Sequence, residues 1–267
     1  MGAMDDKRWD FHIHTKYLGC ANGTMEVAAI VNECERCGVT ALAITDHLHT
    51  LDTLDLHVPI REDIDALETK TPVYFGVELN FLGMDDDFAF SPEVKEEYGF
   101  QFAIGGIHRT YLEAYDLKKM MDIQHRHHLK TCRDPLVDVL VHPYWFDKVE
   151  FDTKGWDWVD SLQAVPESYA RELGQTARET GTAIEINAGA NLTNPAASER
   201  HVKDYIEFLS IVAAEGCCFS LGSDAHDIGR LKDIRAAWQV AEQLNLPPSR
   251  IWRPKCQPLR GAFPATE

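Results

Sequence analysis

Short apolar or β-branched runs recur along this chain, and each is followed by a longer stretch whose apolar residues return with helical spacing. Seven such runs stand out, over residues 8–14, 41–46, 73–79, 102–107, 136–141, 183–187 and 217–222. Strands separated by helices are joined by crossovers, which predicts a parallel sheet of βα units. Residues 25–37 read as a helix N-capped by Thr24 and ended by Gly38, and residues 205–215 as one ended by Gly216. Two segments look added to this pattern: an acidic loop over 83–99 and the stretch 111–133. The tail from Pro247 onward, with Pro248, Pro254, Pro258 and Pro264, is expected to be irregular.

With 267 residues the chain has the length of one α/β barrel. No internal repeat or Pro/Gly/Ser linker divides it, so the expectation is a single barrel domain over 1–267, with its core over 8–246 and the tail over 247–267. A net charge of −17 disfavours attraction to polyanions, so a nucleic-acid polymer or a membrane surface is not the expected partner. No run approaches the roughly 20 apolar residues of a membrane span, and the start, 1–10, is charged rather than signal-like. Seven cysteines, odd in number and scattered, point to a reducing cytoplasm. Cys34 and Cys37 share a helix with no second ligand pair near them in sequence, and read as packing residues.

The polar exceptions fall at the ends of the apolar runs. His12 and His14 are two apart on the first strand and therefore point to one side, while Phe11 and Ile13 face apolar packing. Later runs end in Asp46-His47, Glu78, His108, His142 and Asp224-Ala225-His226. In a βα barrel these C-terminal strand ends open on one face, where catalytic groups gather. Such residues are seldom buried unless paired or bound to an ion, so the eight candidate ligands among them, all but Asp46, around one cavity predict a metal site. Mixed imidazole and carboxylate donors suit zinc, manganese or iron. His125, Arg126, His127 and His128 lie together on a predicted helix but point in different directions, and read as a solvated helix or lid.

This ordered set, His12-x-His14-Thr15, Thr45-Asp46-His47, Glu78, His108, His142-Pro143 and Ser223-Asp224-Ala225-His226, resembles the PHP family, named for polymerase and histidinol phosphatase, over about residues 10–226. The resemblance implies a distorted seven-stranded (β/α)7 barrel of the TIM type, two or three divalent ions, and phosphoester hydrolysis. It implies one ion on His12, His14, Glu78 and Asp224, a second on Glu78, His108 and His142, and His47 with His226 at a third. Many relatives supply the third site with an Asp or His soon after the opening pair. Here that loop reads Lys16-Tyr17-Leu18-Gly19-Cys20, which leaves the third ion open. Nothing in the sequence lowers the Cys20 thiol pKa, so Cys20 reads as a neighbour rather than a ligand.

Two ions can share a bridging hydroxide and clamp the oxygens of an in-line displacement, which predicts hydrolysis of a small phosphate ester, histidinol-phosphate-like or nucleotide-like. Asp46 and His226 are candidate proton donors, Asp46 equally a partner that orients a histidine. Arg109, Lys16 and Arg230 are candidate phosphate partners, and Asn187 and Asn191 candidate contacts to a substrate hydroxyl or phosphate. An amidohydrolase-type reaction at a C–N or C–O bond uses similar donors, but the early Asp46-His47 and Glu78 fit it less well and its strand-end lysine is missing. A non-enzymatic metal-stabilised module would show eroded ligands or a partner domain, and neither is seen. Oligomeric state is not legible.

Overall fold

Every buried position of the run 73–80 is filled, because a parallel strand covered on both faces needs a continuous rather than an alternating apolar pattern. The computed structural model describes residues 7–263, so Pro264 and most of the charged start lie outside the described residues. Seven strands, β1 (Trp9–Asp10), β2 (Ala41–Ile44), β3 (Val73–Asn80), β4 (Phe102–Gly106), β5 (Val139–Leu140), β6 (Ala183–Asn187) and β7 (Phe219–Gly222), lie side by side in chain order, all parallel. His47–Leu48 carries the chain leaving β2 along β3, pairing His47 with Glu78. Backbone bonds then tie the first strand to the last: Phe11 N to Leu221 O at 2.9 Å and Asp224 N to His12 O at 2.8 Å. The result is a nearly closed seven-stranded parallel barrel wrapped by helices, as expected.

Seven helices lie in the crossovers and an eighth follows the last strand: α1 (Val27–Cys37), α2 (Val58–Asp65), α3 (Pro92–Tyr98), α4 (Leu117–Arg133), α5 (Lys148–Lys154), α6 (Glu167–Thr180), α7 (Glu199–Ala214) and, after β7, α8 (Ile234–Gln243). In α1 the stripe Val27, Ile30, Val31, Cys34 and Cys37 is buried, so both cysteines are packing residues. Gly38 and Gly216 sit at φ 88° and 92° beyond the helices that they end. The Thr24 cap is corrected: α1 starts at Val27 behind Glu26, and Thr24 bonds Asn22 instead. The helix expected from 205 starts six residues earlier, where Ser198 accepts from the His201 amide.

Neither of the two segments that looked added is an insertion. Within 83–99, Ser91 caps α3 and Pro92 opens it, so the loop carries the crossover helix from β3 to β4. The stretch 111–133 contains α4, the crossover from β4 to β5. Its histidines are not on a solvated face: His125, His127 and His128 are buried, and only Arg126 of the four is exposed. His125 stacks on Tyr169 at 3.9 Å and bonds Glu172 at 2.9 Å, which gives α4 a polar seam with α6.

The tail past Pro247 has one short turn and is otherwise irregular, yet it is packed. Trp252 N bonds Phe219 O at 2.8 Å, and its ring meets Phe11 and Phe102 at 5.8 and 5.3 Å. Leu259 and Arg260 then bond Val73. These partners begin β7, β4 and β3, so the tail covers the N-terminal strand ends, opposite the candidate ligands.

Candidate metal centre

The chain leaves β1 as Phe11-His12-Ile13-His14, and the i, i+2 spacing brings His12 Nε2 within 3.0 Å of His14 Nε2. Glu78, near the end of β3 and 1% exposed, reaches both sides of the centre. One oxygen lies 2.9 Å from His108 Nε2 and 3.0 Å from His142 Nε2. The other lies 3.3 Å from the Nε2 atoms of His12 and His14 and 2.8 Å from His47 Nδ1. This is the disposition of a carboxylate shared between two ions. Asp224 Oδ1 completes the first set, 3.5 Å from His12 Nε2 and 3.3 Å from His14 Nε2.

Two ligands sit on strained backbone. His142 has φ 29° and Asp224 φ 54°, conformations that cost a non-glycine residue about 1–3 kcal/mol each and persist only where neighbours enforce them. The enforcing bonds are His142 N to Glu185 Oε2 at 2.8 Å and Asp224 N to His12 O at 2.8 Å.

Hydrogen bonds at the far side of two rings fix which nitrogen faces the centre. Nδ1 of His12 donates to Glu185 Oε1 at 2.8 Å and that of His226 to Asp224 O at 3.0 Å, whereas Nδ1 of His47 faces the centre, 2.8 Å from Glu78 Oε2 and 3.2 Å from Asn80 Oδ1. At His12 and His226 these acceptors require the proton on Nδ1, so Nε2 carries the lone pair. Glu78 Oε2 is buried among three ring nitrogens without a hydrogen bond of normal geometry. Inward lone pairs beside two carboxylates are a donor set that could hold a cation, and His/Asp/Glu donors suit zinc, manganese or iron. Donor atoms lie within 4.8 Å of one another in each of three groups: His12, His14 and Asp224; His47, Glu78 and His108; and His14, Cys20, His47 and His226.

Charges follow the same geometry. Burial opposes ionisation of Glu78 and Asp224, but the imidazoles, His47 foremost for Glu78 and His12 for Asp224, hold both carboxyls well below the usual range. Burial opposes the charge on His12 as well, and is outweighed by Glu185, Asp224 and Glu78, which raise it. Burial, then His226 and His47, depress His14, and burial brings His108 down to about 4.

The remaining expected site residues are spread around this core. Asp46 is buried, its carboxyl pushed up to about 7 by that burial, and it is turned onto Thr15, whose amide and hydroxyl both donate to Oδ1 at 3.0 Å. Its carboxylate bonds no histidine among the described residues; it clamps the loop after the histidine pair. His226 lines a cleft of about 430 Å³ with Trp145, Asn194, Asp224 and Arg230. Arg230 also bonds Thr193 O at 2.9 Å and pairs with Asp233. Lys16 pairs with Glu26 at 2.7 Å. Arg109 is exposed, with no hydrogen-bond or ion-pair partner among the described residues. Asn187 and Asn191 are 0% exposed and do not line the cleft. Asn187 lies beneath the ligands, bonding Glu185 and Asp224, and it is Asn194 that reaches the cleft wall.

Sequence reasoning missed Glu185. It is 1% exposed in the middle of β6, Ala-Ile-Glu-Ile-Asn, where a carboxylate inside an apolar run was the available signal. Gly222 makes its reach possible: a Cβ there would stand 2.1 Å from Glu185 Oε1 and 2.6 Å from His12 Cβ. Asp10 was missed too; it accepts from the Ser223 amide at 2.9 Å, and burial pushes its carboxyl up to about 7.

A family model described as the PHP domain matches residues 10–189. Among solved structures the chain is similar to a histidinol phosphate phosphatase from Lactococcus lactis, solved with zinc, L-histidinol and phosphate, at 16% identity and TM-score 0.61, covering 89% of this chain and 94% of that one. It is also similar to a putative histidinol phosphatase from Listeria monocytogenes, at 13% identity and TM-score 0.61, covering 83% and 96%. Identities this low speak for the shared fold. No curated protein sequence matches the chain.

Proposed function

This chain belongs to the PHP domain family, and from that premise we infer that it is a metal-dependent phosphoesterase acting on a small phosphorylated metabolite. The observation that carries the reading is Glu78, whose two oxygens face two separate groups of imidazoles. His12, His14, Glu78 and Asp224 would hold one ion, and Glu78, His108 and His142 a second. Ions so placed, in the zinc, manganese or iron class, lower the pKa of bound water and stabilise charge on phosphoryl oxygens.

The chain's own residues supply the rest. Glu185 holds the His12 ring and the His142 backbone in position. Arg109, exposed and unpaired among the described residues, is free to take two phosphate oxygens side by side. Arg230, already held by Thr193 and Asp233, offers a fixed charge on the cleft wall. Trp145 walls the same cleft and gives a planar apolar surface to an imidazole or nucleobase. A cleft of about 430 Å³ is of the size that suits a small ester. The Lactococcus relative, solved with histidinol and phosphate, supports a histidinol-phosphate-like substrate, with a nucleotide-like ester beside it. Asp46 is spent on Thr15, which leaves His226 to face the leaving oxygen, either as proton donor or as metal ligand; one nitrogen cannot do both.

The test is phosphate release from an aryl phosphomonoester by protein reconstituted with zinc or manganese, beside Glu78→Gln. We expect metal-dependent release, and a fall of at least about 10³-fold in kcat/KM in the variant, the scale for losing a group that stabilises transition-state charge. With metal fully bound and no release, diesters and then C–N bonds become the substrates to try.

A further inference from the structure

The loop after the histidine pair ends at Cys20, and three sets of bonds hold it against the centre. Asp46 clamps Thr15, Gly19 turns at φ 77°, and the Asn22 amide donates to His226 O at 3.0 Å. Cys20 Sγ is thereby brought into one group with His14, His47 and His226, all donor atoms within 4.8 Å. Two of those rings have Nδ1 occupied, by Glu78 Oε2 and Asn80 Oδ1 at His47 and by the Asp224 carbonyl at His226. Their Nε2 atoms are therefore free for a ligand. His14 is 0% exposed, and its Nδ1 has no hydrogen-bond partner among the described residues. A thiol set among imidazole lone pairs is the donor chemistry of a Cys/His cation site.

We propose that Cys20 binds a third divalent ion as a thiolate, together with His47 and His226. This rests on the metal-centre reading above and assigns the loop that departs from the family pattern. On binding, the thiol releases its proton to solvent as the bond from Sγ to the ion forms. His14, within the same reach, stays with the neighbouring ion held by His12 and Asp224. Three protein donors leave an open position, the arrangement of catalytic rather than structural sites, and His226 places that opening on the cleft. His226 is then a ligand and not the proton donor. A thiolate also biases the site toward zinc or cobalt over manganese.

Full-length protein is stripped of metal, loaded with cobalt(II), and its absorption and cobalt content are measured beside Cys20→Ser. The expected result is a near-ultraviolet thiolate-to-cobalt charge-transfer band in the parent that is absent from the variant. Cobalt bound without such a band in the parent, or a band that persists in Cys20→Ser, overturns the assignment and leaves the two-ion reading standing. A parent that binds no cobalt, with an unchanged circular dichroism spectrum, overturns both.

Discussion

At Glu185 one oxygen accepts from His12 Nδ1 and the other from the His142 amide, so a single carboxylate outside the proposed ligand set fixes one proposed ligand of each ion. A ligand imidazole whose far nitrogen is bonded to a carboxylate is both oriented and made more basic, and losing such a partner typically costs 10–100-fold in metal affinity or activity. For Glu185→Gln we expect zinc affinity, measured by competition with a chelator, to fall by about that factor, with most of kcat recovered at saturating zinc. A variant whose affinity is unchanged removes Glu185 from this positioning role. The Asp46 carboxylate is decided at the same scale. Its neighbour His47 faces the centre, but Asp46 itself points to Thr15, a choice made by backbone direction after β2 rather than by residue type.

Among the elements, the C-terminal strap shows how a segment without periodicity can still be structural. Trp252 is 8% exposed and packs on Phe11 and Phe102 at the end of the barrel away from the ligands. Truncating a buried Trp removes its transfer energy and leaves a cavity, together about 3–5 kcal/mol. Trp252→Ala should lose that much in denaturant unfolding while binding the same number of ions; a loss below about 1 kcal/mol would mean that the strap is not anchored there. The crossover α4 makes a related point. Its adjacent histidines look like surface residues by composition, yet its 17-residue length and the rings of Tyr144 and Tyr169 bury three of them.

For the whole molecule, the candidate centre sits where the first strand meets the last, so the proposed metal binding and barrel closure would share the same groups. His12 carries a ligand ring and, through its carbonyl, accepts from the Asp224 amide across the seam. An ion that binds only the folded chain stabilises it by RT ln(1 + [L]/Kd), about 4 kcal/mol at a thousandfold excess over Kd. Stripping the metal with a chelator should therefore lower Tm in calorimetry, and the difference should grow with added zinc. A Tm indifferent to zinc would disconnect the centre from the closure. No helix among the described residues is long and apolar enough to cross a membrane.

What the sequence determined by itself is the order and type of the elements and the run of candidate donors at the strand ends, because both follow from local rules. Apolar runs of strand length alternate with helical stretches, and a strand's two-residue period forces His12 and His14 to one side. Only the tertiary structure decided which groups support those ligands. Glu185 lies 173 positions from His12, and Gly222 must lack a side chain for the two to touch. Cys20 read as a bystander because a linear sequence does not show that its loop folds back to His226. Such contacts depend on barrel closure, which joins residues distant in the chain, and no period along the sequence records them.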